Sequence, residues 1–282
     1  MYGQPRRPFA SLPWVLVLAL LPVGCARTPE GQEGNVQGRQ ITVSMTVAGR
    51  IRQNVGGQVP YHYFVLINFT DDPGDAGPVP VVDIPWGNGF AAPAPLPADR
   101  QGFVGFVRVD ALQPQGYGVY RVARTDPNNE NSPLFNPVTG RFEPLGLPEQ
   151  YTQLAAESDT IQFRLDLSRL PGYRRPGPDG QFDPPNDPAP DDTTARYVQV
   201  NFLATNNLPQ GADTNAPKSW DALGGAETGT INTWLTIPLD QDSALNNNTQ
   251  AVPEQPGDVR EKLSALVDDP DLDITDWTIR IE

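Results

Sequence analysis

A period of two dominates the hydrophobic pattern of this chain from residue 41 onward. In Ile41–Val47 apolar residues alternate with Thr and Ser, and 161–167, 231–237 and 277–281 follow the same rule. Successive side chains of a β-strand point to opposite faces, so each segment predicts a strand with one buried face. A helix would need apolar residues at intervals of three and four. The chain is therefore expected to be all-β, with antiparallel strands.

Other segments are apolar on both faces, which is typical of central strands. Tyr61–Phe69 is the longest of these. Three more strands and one weaker edge candidate bounded by Pro lie at 103–109, 117–123, 196–203 and 79–84. Together with the alternating segments they make about nine strands, a number typical of a β-sandwich. We expect 41–282 to form a single β-sandwich domain.

One short helix is expected near the C-terminus. Asp258 is a good N-cap, and Glu261 three residues later completes a box-like signal. The apolar residues that follow, up to Val267, share one helical face. Loops longer than about 12–15 residues are uncommon, yet long loops are expected at 70–102, 124–150, 171–195, 204–230 and 238–257.

The first 24 residues predict an export signal. Arg6 and Arg7 precede an apolar run, Leu12–Val23, which matches a signal-peptide core of about 7–15 residues. A membrane span needs about 20 apolar residues, so this run is too short. Gly24 then precedes Cys25, the only Cys in the chain.

The segment Leu21-Pro-Val-Gly-Cys25 resembles the lipobox of bacterial lipoproteins. The resemblance covers about the first 30 residues, and it implies a diacylglyceryl group on the Cys25 thiol and cleavage before that residue. Residues 25–40 would then be a polar, flexible tether. The folded part would face the periplasm or the cell exterior, anchored in the cell membrane or the outer membrane. An ordinary secretory signal or an uncleaved anchor are the alternatives.

Charge and composition narrow the classes of partner. The net charge of −14 disfavours nucleic acid and favours cations, basic partners or neutral ligands. One Cys and one His are too few for the usual Cys/His metal sites or Cys/His catalytic pairs. His62 falls in a predicted strand, where we expect a structural role beside a hydroxyl or carboxylate.

Two acidic segments are candidate calcium sites, since Ca²⁺ takes about 6–8 oxygen ligands. One set, on a Pro-rich loop, is Asp179, Asp183 and Asp187. The other set, spaced by two so that an extended chain would place it on one face, is Asp269, Asp271 and Asp273. A solvated loop and a turn before the last strand are the respective alternatives. No cofactor is assigned from the sequence, and calcium is the candidate that these acidic segments raise.

Two tryptophans among turn residues are candidate ligand contacts. Trp86 and Trp220 either present a flat face to a sugar ring or pack against the sandwich. The residue types favour binding over catalysis, and no catalytic residue is assigned. We therefore expect a lipid-anchored extracytoplasmic protein that binds a glycan, a divalent cation or an envelope partner. An envelope hydrolase of glycosidase type with a carboxylate pair, or a structural envelope subunit, are the alternatives.

Overall fold

Strands account for nearly all of the regular structure. The computed structural model describes residues 38–52, 61–75, 77–78, 80–81, 90–91, 104–122, 142–170, 195–206, 219–224, 233–249, 253–261 and 265–282. Within these ranges the strands are β1 (Gln40–Val47), β2 (His62–Thr70), β3 (Pro80–Val81), β4 (Phe90–Ala91), β5 (Gly105–Val109), β6 (Tyr117–Val122), β7 (Phe142–Gly146), β8 (Gln150–Tyr151), β9 (Thr160–Asp166), β10 (Tyr197–Thr205), β11 (Ser219–Ala222), β12 (Leu235–Pro238), β13 (Ser243–Asn246), β14 (Arg260–Glu261), β15 (Ala265–Leu266) and β16 (Ile274–Ile281).

The smaller of the two main sheets has the strand order β13-β16-β1-β9-β8 and is antiparallel. Its central strand β1 pairs Ile41 with Ile281 on one side and with Leu165 on the other. Alternate residues of β1, beginning with Ile41, are buried, and the intervening polar residues are half-buried. Directly paired residues project to the same face, so the alternation produces one continuous apolar face.

The larger sheet has the order β15-β14-β11-β10-β2-β5-β6-β7. One edge of β10 pairs with β2 along its whole length, and the other edge is shared by β12 and β11. Every residue of β2 is buried, as the apolar pattern on both of its faces predicts. A separate two-stranded pair joins β3 and β4.

The main core contains residues of both sheets. Tyr63, Val65 and Ile67 of β2 belong to the same buried cluster as Ile41 of β1. Phe202 of β10 and Trp277 of β16 pack with ring centroids 5.8 Å apart. The predicted all-β, sandwich-like fold is therefore confirmed.

Each of the nine predicted segments overlaps a described strand, whereas four predicted loops hold short strands that were not predicted. The segment 70–102 contains β4, 124–150 contains β7, 204–230 contains β11, and 238–257 contains β13. Strands of two to five residues carry too little alternation to be recognised. Their pairing with longer neighbours stabilises them instead.

The predicted helix after Asp258 is wrong. Arg260 and Glu261 form β14, which pairs with β11, and a short hairpin brings back Ala265–Leu266 as β15. The Val267 N–H donates to the Val259 carbonyl at 2.9 Å, eight residues back, whereas a helix would direct it four residues back. The edge of β11 therefore overrides the local helical pattern.

All described residues lie in one compact unit, Gln32–Glu282. No helix within the described ranges is long and apolar enough to cross a membrane. Cys25 and most of the proposed tether lie outside the described residues.

Candidate functional site

The acidic segment before β16 is a turn. The N–H groups of Leu272 and Asp273 both donate to the Asp269 carbonyl oxygen, at 3.0 and 3.2 Å. The expectation that Asp269, Asp271 and Asp273 share one face of an extended chain is therefore wrong. The turn, which was the alternative interpretation, describes this segment.

Two carboxylates of this turn are engaged by the segment between β1 and β2. Asp271 accepts hydrogen bonds from Arg52 Nε at 2.9 Å, from Arg52 Nη2 at 2.6 Å and from the Arg50 N–H at 3.0 Å. The Tyr61 hydroxyl donates to Asp269 at 2.7 Å, and the Arg52 guanidinium lies 4.0 Å from the centre of the Tyr61 ring. Burial, and then the hydrogen bond to Asp269, raise the pKa of Tyr61 to about 12. These contacts anchor the turn to the sandwich.

Three other carboxylates come together in the described part of the chain. Each of Asp221, Glu254 and Asp258 offers an oxygen within 4.8 Å of the others, and all three residues are buried. Within the described ranges this is the only such group of three or more Asp, Glu, His or Cys residues. We call these three residues the buried acidic cluster.

Asp221 places the buried acidic cluster at a junction between the two main sheets. Its backbone belongs to β11 of the larger sheet. Its Oδ2 accepts from the N–H of Ile274, the first residue of β16 in the smaller sheet, at 2.6 Å. Its Oδ1 accepts from the Ala222 N–H at 2.8 Å. The side chain is thus fixed by both sheets.

Glu254 is held by its backbone and by one carboxylate oxygen. Its N–H donates to Asn247 Oδ1 at 2.7 Å, and Asn247 Nδ2 donates to the Glu254 carbonyl at 3.1 Å. Its Oε2 accepts from the Gly224 N–H at 3.0 Å. Its Oε1 is buried and has no hydrogen-bond partner. The site therefore contains an open acceptor.

Asp273 holds the chain on which Asp258 lies. Its carboxylate accepts from the Gly257 N–H at 3.0 and 2.9 Å, and also from the Asp258 N–H. Burial is the largest cause that raises the pKa of Asp273, and the charge of Asp268 also raises it. Asp273 is thus the one residue of the predicted acidic set that borders the buried acidic cluster.

Electrostatics within the buried acidic cluster are unfavourable for negative charge. The pKa of Glu254 is raised to about 11, first by burial and then by repulsion from Asp221 and Asp258. Burial and then the charge of Asp258 raise the pKa of Asp221. Backbone N–H donors act in the opposite direction at both residues, and no basic side chain is among the causes. Two or more ionised carboxylates here require a positive charge beside them.

A cleft of about 250 Å³ opens beside the turn. It is lined by Gly257, Leu266, Val267, Asp268, Asp269, Pro270 and Asp273. Leu266 is 53% exposed at this position. The cleft therefore combines acidic side chains with an apolar rim, and we call it the acidic cleft.

His62 has a structural setting. Its Nδ1 lies 2.7 Å from Asp110 Oδ2, and both side chains are buried. An ionised carboxylate only accepts, so Nδ1 is the donor of this hydrogen bond. The expectation that His62 faces a hydroxyl or carboxylate is confirmed.

The remaining candidates fall into two groups. Trp220 is 3% exposed within β11, so it packs into the fold as its alternative interpretation holds and offers no open face to a sugar. The others lie outside the described residues: Cys25, Trp86, Asp179, Asp183 and Asp187.

Sequence reasoning missed all three members of the buried acidic cluster as ligands. Asp221 follows a Trp in a short strand, and Glu254 lies among prolines and glycine, where acidic residues are ordinary turn formers. Asp258 was expected to cap a helix. The pairing of β14 with β11 brings Asp258 near Asp221, and the contacts with Gly224 and Asn247 hold Glu254 beside them. No local pattern predicts these long-range contacts.

Comparison with protein-family models, curated proteins and solved structures finds no match to this chain.

Proposed function

We propose that this chain is an exported, lipid-anchored protein that binds a basic ligand in its acidic cleft outside the cytoplasm. Support for the anchor comes from the sequence: the charged start, the short apolar run and a single Cys25 in a lipobox-like setting. Two or three acyl chains on one Cys would hold the protein stably at a membrane.

The acidic cleft is the observation that supports the proposed binding of a ligand. Three Asp residues line this cleft of about 250 Å³, together with Leu266 and Val267 of the apolar rim. A Lys or Arg side chain has a matching shape, with an apolar stem and a cationic head. The net charge of −14 would steer such a ligand toward the protein. We therefore favour a basic segment of an envelope partner over a neutral glycan.

The hydrolase alternative gains less support from this cleft. Asp273 has a raised pKa, as a general acid requires. Its carboxylate is, however, engaged by the backbone N–H groups of Gly257 and Asp258. A structural subunit would need a large exposed apolar patch. Among the described residues, the large exposed hydrophobics are Leu112 and Leu266.

A pair of matched variants tests the proposal. Asp268→Asn removes one charge from the acidic cleft, and Asp240→Asn removes one charge from an exposed position outside its lining. We expect Asp268→Asn to weaken binding of an Arg- or Lys-containing peptide by about two- to fivefold, the range for a partly exposed ion pair. Asp240→Asn should leave the affinity unchanged. Equal effects of both variants in a fluorescence titration would show that binding follows overall charge and not the cleft.

A further inference from the structure

The buried acidic cluster concentrates more charge than the interior of a protein tolerates alone. Asp221 and Asp258 are each 2% exposed, and Glu254 is 3% exposed. Moving even one ionised carboxylate into such surroundings is strongly unfavourable unless an opposite charge compensates it. Three carboxylates with oxygens within 4.8 Å of each other add mutual repulsion to that cost.

Two responses to this cost are open to the protein. The carboxyl groups can take up protons, or a cation can bind between them. Protonated carboxyl groups would have to place their hydrogens on nearby acceptors. Asp221 accepts N–H hydrogen bonds at both of its oxygens, from Ile274 and Ala222, as an ionised carboxylate does, and Glu254 accepts one from Gly224 at Oε2.

A second observation concerns the open acceptor at Glu254. Its Oε1 is shielded from water and receives no hydrogen bond, whereas its Oε2 is satisfied by the Gly224 N–H. A buried acceptor without a partner is destabilising, so native proteins rarely leave one unused. A missing ion is one of the ordinary reasons for such an atom.

We infer that the buried acidic cluster is a calcium site formed by Asp221, Glu254 and Asp258. The ligand atoms are all carboxylate oxygens, the type that Ca²⁺ binds, whereas structural zinc sites in proteins are built mainly from Cys and His. Oxygens that share one Ca²⁺ at about 2.3–2.6 Å lie at most about 5 Å apart. The carboxylate oxygens of these three residues lie within 4.8 Å of one another, close enough to share one ion. Water and second carboxylate oxygens would complete the coordination.

Calcium suits this site better than magnesium. Mg²⁺ keeps several water molecules and usually takes only one or two carboxylates, at about 2.0–2.1 Å. A buried set of three carboxylates instead resembles the ligand-rich sites that dehydrate Ca²⁺. Such an ion would link β11 of the larger sheet to the chain that enters β14. The Asp221 hydrogen bond to Ile274 extends this link to the smaller sheet.

This site differs from the acidic cleft in both ligand and position. The buried acidic cluster would bind a single metal ion rather than a basic side chain, and its residues do not line the cleft. Asp273 connects the two, because it lines the cleft and holds the N–H groups of Gly257 and Asp258. The inference depends neither on the anchor at Cys25 nor on the ligand of the cleft.

Calcium binding can be measured on the full chain, purified in detergent and freed of metal with a chelator. We expect one Ca²⁺ to bind per chain in isothermal titration. We also expect the melting temperature to rise by about 5–10 °C at a calcium concentration one hundred times Kd. Under the same conditions Mg²⁺ should bind at least about tenfold more weakly.

Glu254→Gln and Asp240→Asn form the matched pair of variants. Both remove one negative charge, but only the first removes a ligand. Glu254→Gln should weaken the binding of Ca²⁺ by about tenfold or more, because the affinity depends on the number of charged ligands. In chelator it should melt at the same temperature as the wild type or higher, because one buried acid is gone. That comparison separates a lost ligand from a misfolded chain. Asp240→Asn should match the wild type throughout.

Several results would overturn the inference. Identical melting curves with CaCl₂ and with chelator, together with no stoichiometric binding, would show that the chain has no calcium site. An unchanged affinity of Glu254→Gln for Ca²⁺ would show that any calcium binds at other residues. Magnesium that binds as tightly as calcium would overturn the identity of the ion. The measurements on the unmodified chain decide the matter even if Glu254→Gln fails to fold.

Discussion

Replacing Asp110 with Asn removes a buried charge that joins β2 to the turn after β5. Asp110 Oδ2 accepts from His62 Nδ1 and from Arg108 Nε, and Oδ1 accepts from the Leu112 N–H at 2.9 Å. Asn retains the shape and one acceptor for Leu112. At the other oxygen, however, Asn presents an amide NH₂ to the Arg108 donor.

The expected loss follows from these contacts. Breaking a buried ion pair by removing one partner costs about 3–5 kcal/mol. The Arg108 side chain is 18% exposed, so water can replace part of its lost interaction. His62 can adopt its other tautomer and accept from the new amide. We therefore expect the free energy of unfolding to fall by about 2–3 kcal/mol, and the melting temperature by about 4–12 °C.

The same contact makes stability depend on pH. Burial raises the pKa of Asp110, but the hydrogen bond from His62 and the charge and hydrogen bond of Arg108 outweigh it, so the folded-state pKa is lowered. The stabilisation is therefore fully present above the unfolded pKa of about 3.9 and is lost as the pH falls through the folded pKa. The difference in the free energy of unfolding between the wild type and Asp110→Asn should therefore shrink as the pH falls through that range of pKa values.

Urea unfolding followed by tryptophan fluorescence measures both effects. Asp242→Asn is the control, because it breaks a surface pair with Arg39 in which Asp242 is 79% exposed, and surface pairs contribute about 0–1 kcal/mol. A loss below about 0.5 kcal/mol in Asp110→Asn at neutral pH would refute the argument. So would a difference from the wild type that stays constant down to about pH 2.

Two further variants test the packing after β1 and the anchor. In Gly49→Ala the new Cβ would lie 2.8 Å from the Pro270 carbonyl carbon and 2.9 Å from the Asp271 nitrogen. Backbone atoms cannot yield easily, so thermal unfolding should show a loss of about 1–3 kcal/mol, whereas Gly74→Ala, whose nearest neighbour would be a side-chain oxygen at 3.2 Å, should change little. Cys25→Ser should abolish palmitate labelling and release the protein to the soluble fraction; a mutant that stays membrane-bound would show that Cys25 is not the anchor.

Alternation predicted strands well because it reports burial directly. In Ile41–Val47 the alternation requires only that one face of the strand is buried, and this face packs into the core of the sandwich. The alternation does not predict which strands pair with one another. The strand β1 pairs with β16, more than 200 residues away, and this choice depends on the shape of both sheets. No local pattern in β1 records it.

The candidate calcium residues could be predicted less well than the strands. An acid in a turn rich in Pro and Gly is usually solvated, and such turns are frequent in this chain. Burial distinguishes Glu254 and Asp258 from the acids of ordinary turns, and burial is a property of the assembled sheets. The spacing rule applied to Asp269, Asp271 and Asp273 failed because it assumed an extended chain. Instead, the Arg52 guanidinium pairs with Asp271, and the neutral Tyr61 hydroxyl donates a hydrogen bond to Asp269.

The failed helix and the missed site have one physical origin. A helix would leave Asp258 at its exposed N-terminus, where its charge costs little. Pairing Arg260 and Glu261 with β11 gives up that cap and buries Asp258 near Asp221. A fold that overrides a strong local signal in order to bury a charge needs a compensating interaction at that position. The Ca²⁺ inferred above would supply that compensation to Asp221 and Glu254, since no basic side chain is among the causes that shift the pKa of either residue. The conflict between local pattern and structure therefore falls at the residues that we propose as a calcium site.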